Sequence, residues 1–233
     1  MKKTNVLWVS YFMIIALFLI GILAGNKAVT VMAESRPILR SATIVLDAGH
    51  GDPDGGATSC TGKLESTFNL EITRRLEALF HLLGYETRMI RNSEASVYTQ
   101  GQTIAQKKIS DLRERVRIVK ETENALLLSI HQNNFPDSRY SGAQVFYGNN
   151  GKSQQLAEQL QTNFVSCLNP GSNRKCKEAN GIYLMDHISS PGVLIECGFL
   201  SNPAEEAKLR TPVYQQQIAC VIAATVSTYL SNT

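Results

Sequence analysis

The stretch Thr43-Ile-Val-Leu-Asp-Ala-Gly-His-Gly51 joins an apolar run to a polar, glycine-rich end. Two later segments have the same form: Leu126-Leu-Leu-Ser-Ile130 is followed by His131, and Val193-Leu-Ile195 is followed by Glu196. Short runs of this kind are typical of central strands that are covered by helices on both faces of a parallel sheet. The three segments therefore predict the middle of an α/β sheet.

The rest of the chain alternates short apolar runs with segments of helical periodicity. This alternation predicts one three-layer α/β domain, with about six strands in a mostly parallel or mixed sheet and helices on both faces. The predicted strands are Thr43–Asp47, Glu86–Ile90, Leu126–Ile130, Gln144–Tyr147, Ile182–Met185 and Val193–Ile195. The predicted helices, with apolar residues three or four positions apart, lie within Phe68–Leu83, Leu112–Val119, Leu156–Phe164 and Ile218–Tyr229.

Local signals predict where some of these elements end. Ser66 or Thr67 is expected to cap the start of the first helix, and Gly84 is expected to end it. The polar residues 92–110 are expected to be either a loop on the substrate side or a loosely ordered segment. That stretch and the turn at residues 167–176 are candidates for contact with a substrate or partner.

The composition is that of a globular protein, with 43% hydrophobic and 18% charged residues in a chain of 233. It excludes collagen-like, low-complexity and long coiled-coil proteins. Three lysines and no acid lie in residues 1–33, so the remainder has as many basic as acidic residues. A neutral remainder argues against binding to nucleic acid. Five cysteines without a C-x-x-C pair exclude a disulfide scaffold and a zinc finger.

Residues 1–33 are predicted to be either a cleaved signal peptide or an uncleaved membrane anchor. The uncharged run Val6–Leu23 has 18 residues, which exceeds a signal-peptide core and is just long enough to span a bilayer. Val31-Met-Ala33 offers the small residues that a signal peptidase reads, so both alternatives remain. We expect residues 34–41 to be a linker and residues 42–233 to form the folded domain, which acts outside the cytoplasmic membrane.

The glycine-rich segment Asp47–Gly56 does not match a nucleotide-binding motif, because the chain contains neither G-x-x-x-x-G-K-[ST] nor G-x-G-x-x-G. It instead places His50 between two glycines, which leave room around the imidazole and allow a sharp turn. Ligands of open α/β sheets bind at the carboxyl ends of the strands. We therefore expect His50, His131 and Glu196 to meet at one edge of the sheet.

Two imidazoles and a carboxylate at one edge indicate a Zn²⁺ site. A catalytic zinc commonly takes two His and one acid, and leaves a position for water. Glu65, 15 residues after His50 and just before the first helix, is the second acid near this edge. One acid can complete the ligand set while the other acts as general base in the hydrolysis of an amide. These residues alone do not decide between Glu65 and Glu196.

Other reactive side chains lack such a setting. His81, inside the first predicted helix, and His187 are interpreted as structural or surface residues. Cys167 and Cys176 flank a turn and either form a disulfide or stay free. Glu65 also has a purely structural interpretation, because an acid near a helix start is electrostatically favourable.

Five motifs carry a resemblance to a known family, and together they are specific. They are Leu46-Asp-Ala-Gly-His-Gly51, Lys63-Leu-Glu65 with Asn69-Leu70, Leu112-x-x-Arg115-Val116, Leu128-Ser-Ile-His-Gln-Asn133 and Leu194-Ile-Glu-Cys-Gly-Phe-Leu-Ser-Asn202. From about Thr43 to Leu230, the chain resembles the zinc-dependent N-acetylmuramoyl-L-alanine amidases of the type 3 family. The resemblance implies Zn²⁺ as cofactor, with His50, Glu65 and His131 as ligands and Glu196 as the catalytic residue.

The resemblance also carries expectations about substrate and location. Asn133 is a candidate substrate-binding residue. The segments Asp111–Val116, Ser141–Tyr147 and Gly181–Met185 are similar to the germination-specific spore-cortex amidases of endospore formers. These enzymes cleave the amide between N-acetylmuramic acid and L-alanine of the stem peptide in peptidoglycan, on the route to muramic-δ-lactam. The implied partners are the membrane, through the N-terminal segment, and a sporulation lipoprotein, on the cortex side of the developing spore.

Two alternatives remain at this point. One is a zinc peptidase that cuts bonds within the stem peptide, and the other is a non-catalytic wall-binding protein that keeps the fold. The chain departs from the family pattern at Ala48, where a proline is usual, and at Cys197, where a small apolar residue is common. Neither departure alters an expected zinc ligand.

Overall fold

The computed structural model describes residues 42–232. Six strands and six helices lie within this range. The strands are β1 (Thr43–Ala48), β2 (Thr87–Met89), β3 (Ala125–Asn133), β4 (Gln144–Tyr147), β5 (Lys177–Glu178) and β6 (Gly192–Phe199). The helices are α1 (Glu65–Leu82), α2 (Ile104–Lys120), α3 (Gly151–Cys167), α4 (Tyr183–Asp186), α5 (Pro203–Leu209) and α6 (Pro212–Ser231). The signal or anchor segment predicted at residues 1–33 and the linker at 34–41 lie outside the described residues.

The strands form one sheet in the order β2-β1-β3-β6-β4-β5. Within β2-β1-β3-β6 all neighbours are parallel, and β4 runs antiparallel to β6. The three apolar runs identified in the sequence are therefore adjacent, as β1, β3 and β6. Because these strands are parallel, their carboxyl ends lie at one edge, which confirms the predicted fold and the expected neighbourhood of their terminal residues.

The sheet is covered on both faces, as its apolar strands predict. Alternate strand residues enter two separate cores: Ile44 and Leu46 belong to one, and Val45 to the other. The first core contains buried residues of α1, α3 and α6, including Phe68, Leu156 and Ile218. The second contains residues of α2 and α4, among them Val119, Leu184 and Met185. The two-residue period of the strands thus divides the helices between the faces.

One predicted strand is wrong. The run Ile182–Met185 falls on the short helix α4, whose residues Leu184 and Met185 are buried in the second core. The sixth strand is instead β5, a pair of exposed charged residues joined to β4 by parallel pairing. A short apolar run supplies no period that could separate a strand from a helical turn.

The ends of the helices differ in part from their prediction. Leu64 is the N-cap of α1 and makes no side-chain cap hydrogen bond, so neither Ser66 nor Thr67 caps this helix. Gly84 follows α1 with φ 76°, the left-handed conformation of a helix-ending glycine. In residues 92–110, α2 begins at Ile104 behind a capping box of Thr103 and Gln106, so only the first part is a loop.

The helices of the described residues include none with the length and apolarity of a membrane span.

Candidate metal centre

Three side chains that could bind a metal ion converge at the carboxyl edge of the sheet. One ligand atom each from His50, Glu65 and His131 lie within 4.8 Å of one another. His50 Nε2 is 3.3 Å from Glu65 Oε2, and His131 Nδ1 is 3.0 Å from Glu65 Oε1. Zinc bonds of about 2.0–2.2 Å in a tetrahedron place ligand atoms roughly 3.3 Å apart. The donor types and their spacing therefore fit a zinc ion.

The three side chains come from different elements. His50 lies just beyond β1 with φ 61°, so the backbone turns there through the left-handed region. Glu65 is the first residue of α1, and His131 lies near the end of β3. Because β1 and β3 are adjacent and parallel, the two histidines are brought to the same edge, with ring centroids 5.0 Å apart.

Two glycines make room for these side chains. A Cβ on Gly49 would overlap the His131 ring, and a Cβ on Gly56 would lie 2.6 Å from Glu65 Oε2 and 2.7 Å from His50 Cδ2. Gly51 was expected to leave room around the His50 imidazole. Its Cα instead faces the backbone of Ser96 in a neighbouring loop, so Gly51 allows that close approach. The glycine-rich segment thus serves close packing among the three donors.

Both carboxylate oxygens of Glu65 are held by polar hydrogens. Its Oε2 accepts a hydrogen bond from the Ala57 N–H at 3.0 Å, and its Oε1 accepts one from the Gln132 N–H at 3.2 Å. The Asn69 amide donates to Oε1 at 3.3 Å. Burial raises the pKa of Glu65, but hydrogen bonds from His131 and His50 outweigh it and hold the pKa far below its usual range. Glu65 is therefore an ionised carboxylate with a fixed orientation, and it is a candidate metal ligand.

Glu196 lies beside this cluster in a different environment. It is the register partner of His131 on the adjacent parallel strand β6. Its Oε2 is buried and accepts no hydrogen bond within the described residues. Burial and the charge of Glu65 raise the pKa of Glu196 to about 7, although both imidazoles oppose the rise. The arrangement combines an ionised carboxylate, Glu65, with a second acid, Glu196, whose pKa is raised.

A buried ionic network that sequence reasoning missed lies behind β1. The Arg115 guanidinium forms ion pairs with Asp47 and Asp111, and it donates to the His50 carbonyl at 2.6 Å. The Ser129 hydroxyl donates to Asp47 at 2.6 Å. Arg115 therefore fixes the backbone of His50 where it turns. The sequence did contain a signal for this network. Asp111 and Arg115 are oppositely charged residues four positions apart in the segment that forms α2.

A second buried arginine holds the same turn from another side. Arg91 donates to the carbonyl oxygens of Ala48 at 2.8 Å, of Gly49 at 3.1 Å and of Ser66 at 2.7 Å. These contacts join the end of β1 to the first turn of α1. The two arginines thus fix the elements that supply His50 and Glu65.

The remaining predicted residues lie elsewhere or have another setting. His81 and His187 are exposed and do not belong to the cluster. Asn133 ends β3 with its carbonyl oxygen accepting from the Leu200 N–H. Cys167 and Cys176 are both free. Residues 172–176 of the predicted contact turn, together with α3, line a cavity of about 910 Å³. None of the three candidate metal ligands, His50, Glu65 and His131, lines this cavity.

The loop that precedes α2 contacts the turn after β1. The Asp52 N–H donates to the Glu94 carbonyl at 2.7 Å, and the Ser96 N–H donates to the Asp52 carbonyl at 3.2 Å. Asp111 anchors the other side of this loop, because it accepts from the Val97 N–H at 2.9 Å. Of the two expectations for this segment, loose order is wrong, and the loop borders the site.

Comparison with known proteins identifies the family. Residues 44–228 match the family described as N-acetylmuramoyl-L-alanine amidase. The chain belongs to this family. The predicted resemblance is therefore confirmed, and the chain is an N-acetylmuramoyl-L-alanine amidase by membership.

Individual relatives agree with this assignment. The germination-specific N-acetylmuramoyl-L-alanine amidase of Bacillus subtilis is 38% identical over 192 residues, which cover 81% of this chain and 80% of that protein. The CwlD amidase of Clostridioides difficile, solved in complex with the GerS lipoprotein, is 36% identical with a TM-score of 0.79, over 82% of this chain and 100% of that chain. The catalytic domain of CwlV from Bacillus (Paenibacillus) polymyxa var. colistinus is 25% identical with a TM-score of 0.70, over 82% and 99%.

Proposed function

We propose that this chain is a zinc-dependent hydrolase of spore-cortex peptidoglycan, which cleaves the amide between N-acetylmuramic acid and L-alanine of the stem peptide. The observation that carries the proposal is the cluster of His50, Glu65 and His131 beside Glu196, in a chain of the amidase family. Two neutral imidazoles and one carboxylate are a common ligand set of catalytic zinc. In this proposal the three clustered residues hold the metal.

Zinc, when bound, would polarise the scissile carbonyl and acidify the attacking water. The protein supplies the proton transfer. Oε2 of Glu196, which has no hydrogen-bond partner within the described residues, accepts a proton from water and gives it to the amide nitrogen as the C–N bond breaks. The hydroxyl of water remains on the carbonyl carbon. The products are a carboxylate on the lactyl group of muramic acid and a free amino group on L-alanine.

Glu65 is suited to the metal and Glu196 to the proton by their contacts. The oxygens of Glu65 are directed by backbone N–H groups and by Asn69, so the carboxylate presents a fixed geometry to an ion. A general base needs an oxygen that is free to meet the substrate, and Glu196 has one. We therefore assign Glu196 as the catalytic acid and base. Asn133, at the end of the same strand as His131, remains a proposed contact of the substrate.

The relatives support the biological setting of the proposal. The Bacillus subtilis relative is named as germination-specific, which favours spore cortex as the wall that is cut, on the route to muramic-δ-lactam. The CwlD structure holds a lipoprotein, and we propose a sporulation lipoprotein as partner of this chain. Action outside the cytoplasmic membrane follows if residues 1–33 are a signal peptide or an anchor, which remains a prediction.

The test is a digestion of cortex peptidoglycan by the purified protein, with and without a zinc chelator. Mass analysis of the released fragments is expected to show stem peptides with a free L-alanine amino terminus and glycan strands that have lost them. Chelation is expected to stop the release, and added zinc to restore it. Fragments that keep L-alanine on muramic acid would indicate a peptidase. Binding to the wall without any release would indicate a non-catalytic protein.

A further inference from the structure

The His50 imidazole lies between two carboxylates. Its Nε2 is 3.3 Å from Glu65 Oε2, on the side of the metal cluster, and its Nδ1 is 3.2 Å from Asp54 Oδ2. Asp54 lies four residues after His50 in the turn that follows β1, and it does not belong to the cluster. Each ring nitrogen therefore has its own acidic neighbour.

The chemistry of imidazole limits how these contacts can coexist with a metal. A neutral ring carries one N–H, and a metal binds the nitrogen without a proton. Since Nε2 is the nitrogen that faces Glu65, the proton has to lie on Nδ1. Asp54 Oδ2 is placed to accept that proton in a hydrogen bond. A carboxylate behind a ligating imidazole fixes both its tautomer and its ring orientation.

We propose that Asp54 is a positioning residue, which holds His50 as the Nδ1–H tautomer and directs Nε2 to the metal. This inference rests on the proposed function, because it takes His50 as a zinc ligand. It goes further in naming the ligating nitrogen of His50 and the residue that selects it.

Asp54 is itself held by two elements. Its Oδ1 accepts a hydrogen bond from the Gly56 N–H at 3.2 Å, within the turn. Its Oδ2 also forms an ion pair with Nζ of Lys108, a residue of α2, at 2.9 Å. With its side chain 26% exposed, Asp54 forms the outer wall of the site. Lys108 thus keeps the carboxylate turned towards His50.

Within residues 42–232, the other histidine, His131, has no carboxylate behind its ring in this way. Nδ1 of His131 already faces Glu65, and its remaining nitrogen lies against Gly49. A purely structural role for Asp54 would rest on the Gly56 hydrogen bond and the Lys108 ion pair, which stabilise the turn and its contact with α2. The two roles differ in what they predict for zinc affinity.

The experiment compares full-length wild-type protein with Asp54→Ala and Asp54→Asn. Zinc affinity is measured by competition with a chromogenic chelator, and thermal unfolding is measured on the metal-free proteins. Asp54→Ala is expected to raise the zinc Kd about 10–100-fold. Asp54→Asn keeps an acceptor oxygen and is expected to raise it less. Asp137→Asn changes a partly exposed carboxylate paired with Arg139, and it is the matched control with unchanged affinity.

A spectroscopic readout tests the tautomer directly. Cobalt-loaded wild-type protein is expected to show a paramagnetically shifted, exchangeable imidazole N–H signal from His50, assigned by its nuclear Overhauser effects to the neighbouring Asp54 and Gly56. In Asp54→Ala that signal should vanish into exchange with water, and the visible cobalt bands should shift. Neither change is expected from a residue that only stabilises the turn.

The outcomes distinguish the positioning role of Asp54 from the metal site itself. If Asp54→Ala binds zinc as tightly as the wild type, with or without lower thermal stability, the positioning role is overturned while the metal site stands. If wild-type protein takes up no zinc, the metal assignment fails and this inference fails with it. A weaker zinc affinity together with the lost N–H signal supports the proposal.

Discussion

Glu65 and Glu196 are the same residue type at one edge of the sheet, yet their surroundings are opposite. Glu65 receives hydrogen bonds on both oxygens, whereas Oε2 of Glu196 receives none within the described residues. The pKa of Glu65 is lowered, and that of Glu196 is raised to about 7. Burial raises the pKa of both carboxyls, so burial alone does not distinguish them. What separates the proposed ligand from the proposed proton carrier is the set of hydrogen-bond donors around each carboxylate.

The largest effect is expected from a change of Glu196, the carboxylate whose Oε2 has no hydrogen-bond partner within the described residues. Glu196→Gln keeps the shape of the side chain but cannot accept a proton, so turnover of cortex peptidoglycan should fall about 10²–10⁴-fold. The measurement is the initial rate of release of L-alanine amino termini at saturating zinc. Turnover within twofold of the wild type would show that Glu196 is not the catalytic acid and base, and the proposed contrast with Glu65 would fail.

The next prediction concerns the buried ionic network that fixes the turn of His50, and it compares two arginines of α2. Arg115 is 2% exposed and pairs with Asp47 and Asp111, whereas Arg117 is 52% exposed and pairs with Glu114 and Glu121. Arg115→Ala leaves the buried carboxylates of Asp47 and Asp111 without their cationic partner and should lower the free energy of unfolding by about 3–5 kcal/mol.

Arg117→Ala is the control, because exposed ion pairs contribute little to stability. Both variants are compared by urea unfolding of the metal-free protein. Equal losses in the two variants would show that the network behind β1 does not hold the turn of His50.

A smaller effect is expected from crowding of the candidate metal ligands, which a comparison of two glycines with positive φ tests. Gly56 has φ 71° and Gly62 has φ 91°, so alanine strains the backbone at both. Only at Gly56 does the added Cβ meet Glu65 and His50, since nothing lies within 4 Å of a Cβ at Gly62. Gly56→Ala is therefore expected to raise the zinc Kd at least about tenfold, an effect of the size seen for residues around metal ligands.

Gly62→Ala should leave the zinc Kd unchanged while it lowers stability by about 1 kcal/mol. Zinc titration and thermal unfolding of both variants give the two quantities. An equal rise in Kd would assign the effect to backbone strain and not to crowding of the ligands.

The sequence predicted the central sheet well for a physical reason. β1, β3 and β6 are buried on both faces, so nearly every position in their runs is apolar; the buried Ser129 is an exception that hydrogen-bonds to Asp47. The polar residue after each run marks the edge where ligands bind. β5 was missed because its exposed Lys177 and Glu178 pair through their backbone alone. The start of α1 was misplaced because its N-cap Leu64 makes no side-chain hydrogen bond.

The candidate site was predictable in its members but not in its supports. His50, Glu65 and His131 were found from strand ends and chain continuity, and they meet in the structure. The proposed division of roles between Glu65 and Glu196 depends on backbone N–H groups from distant residues such as Gln132. Contacts of that kind have no pattern in the chain, so the reasoning from residues left the choice open until a family resemblance supplied it.

The most direct test of the account is the zinc content of two matched variants, Glu65→Gln and Glu196→Gln, by elemental analysis after dialysis against zinc-free buffer. The account predicts about one zinc per chain in Glu196→Gln, as in the wild type, and little zinc in Glu65→Gln, because the third ligand is lost. Zinc retained by Glu65→Gln and lost from Glu196→Gln would exchange the two roles and contradict the account.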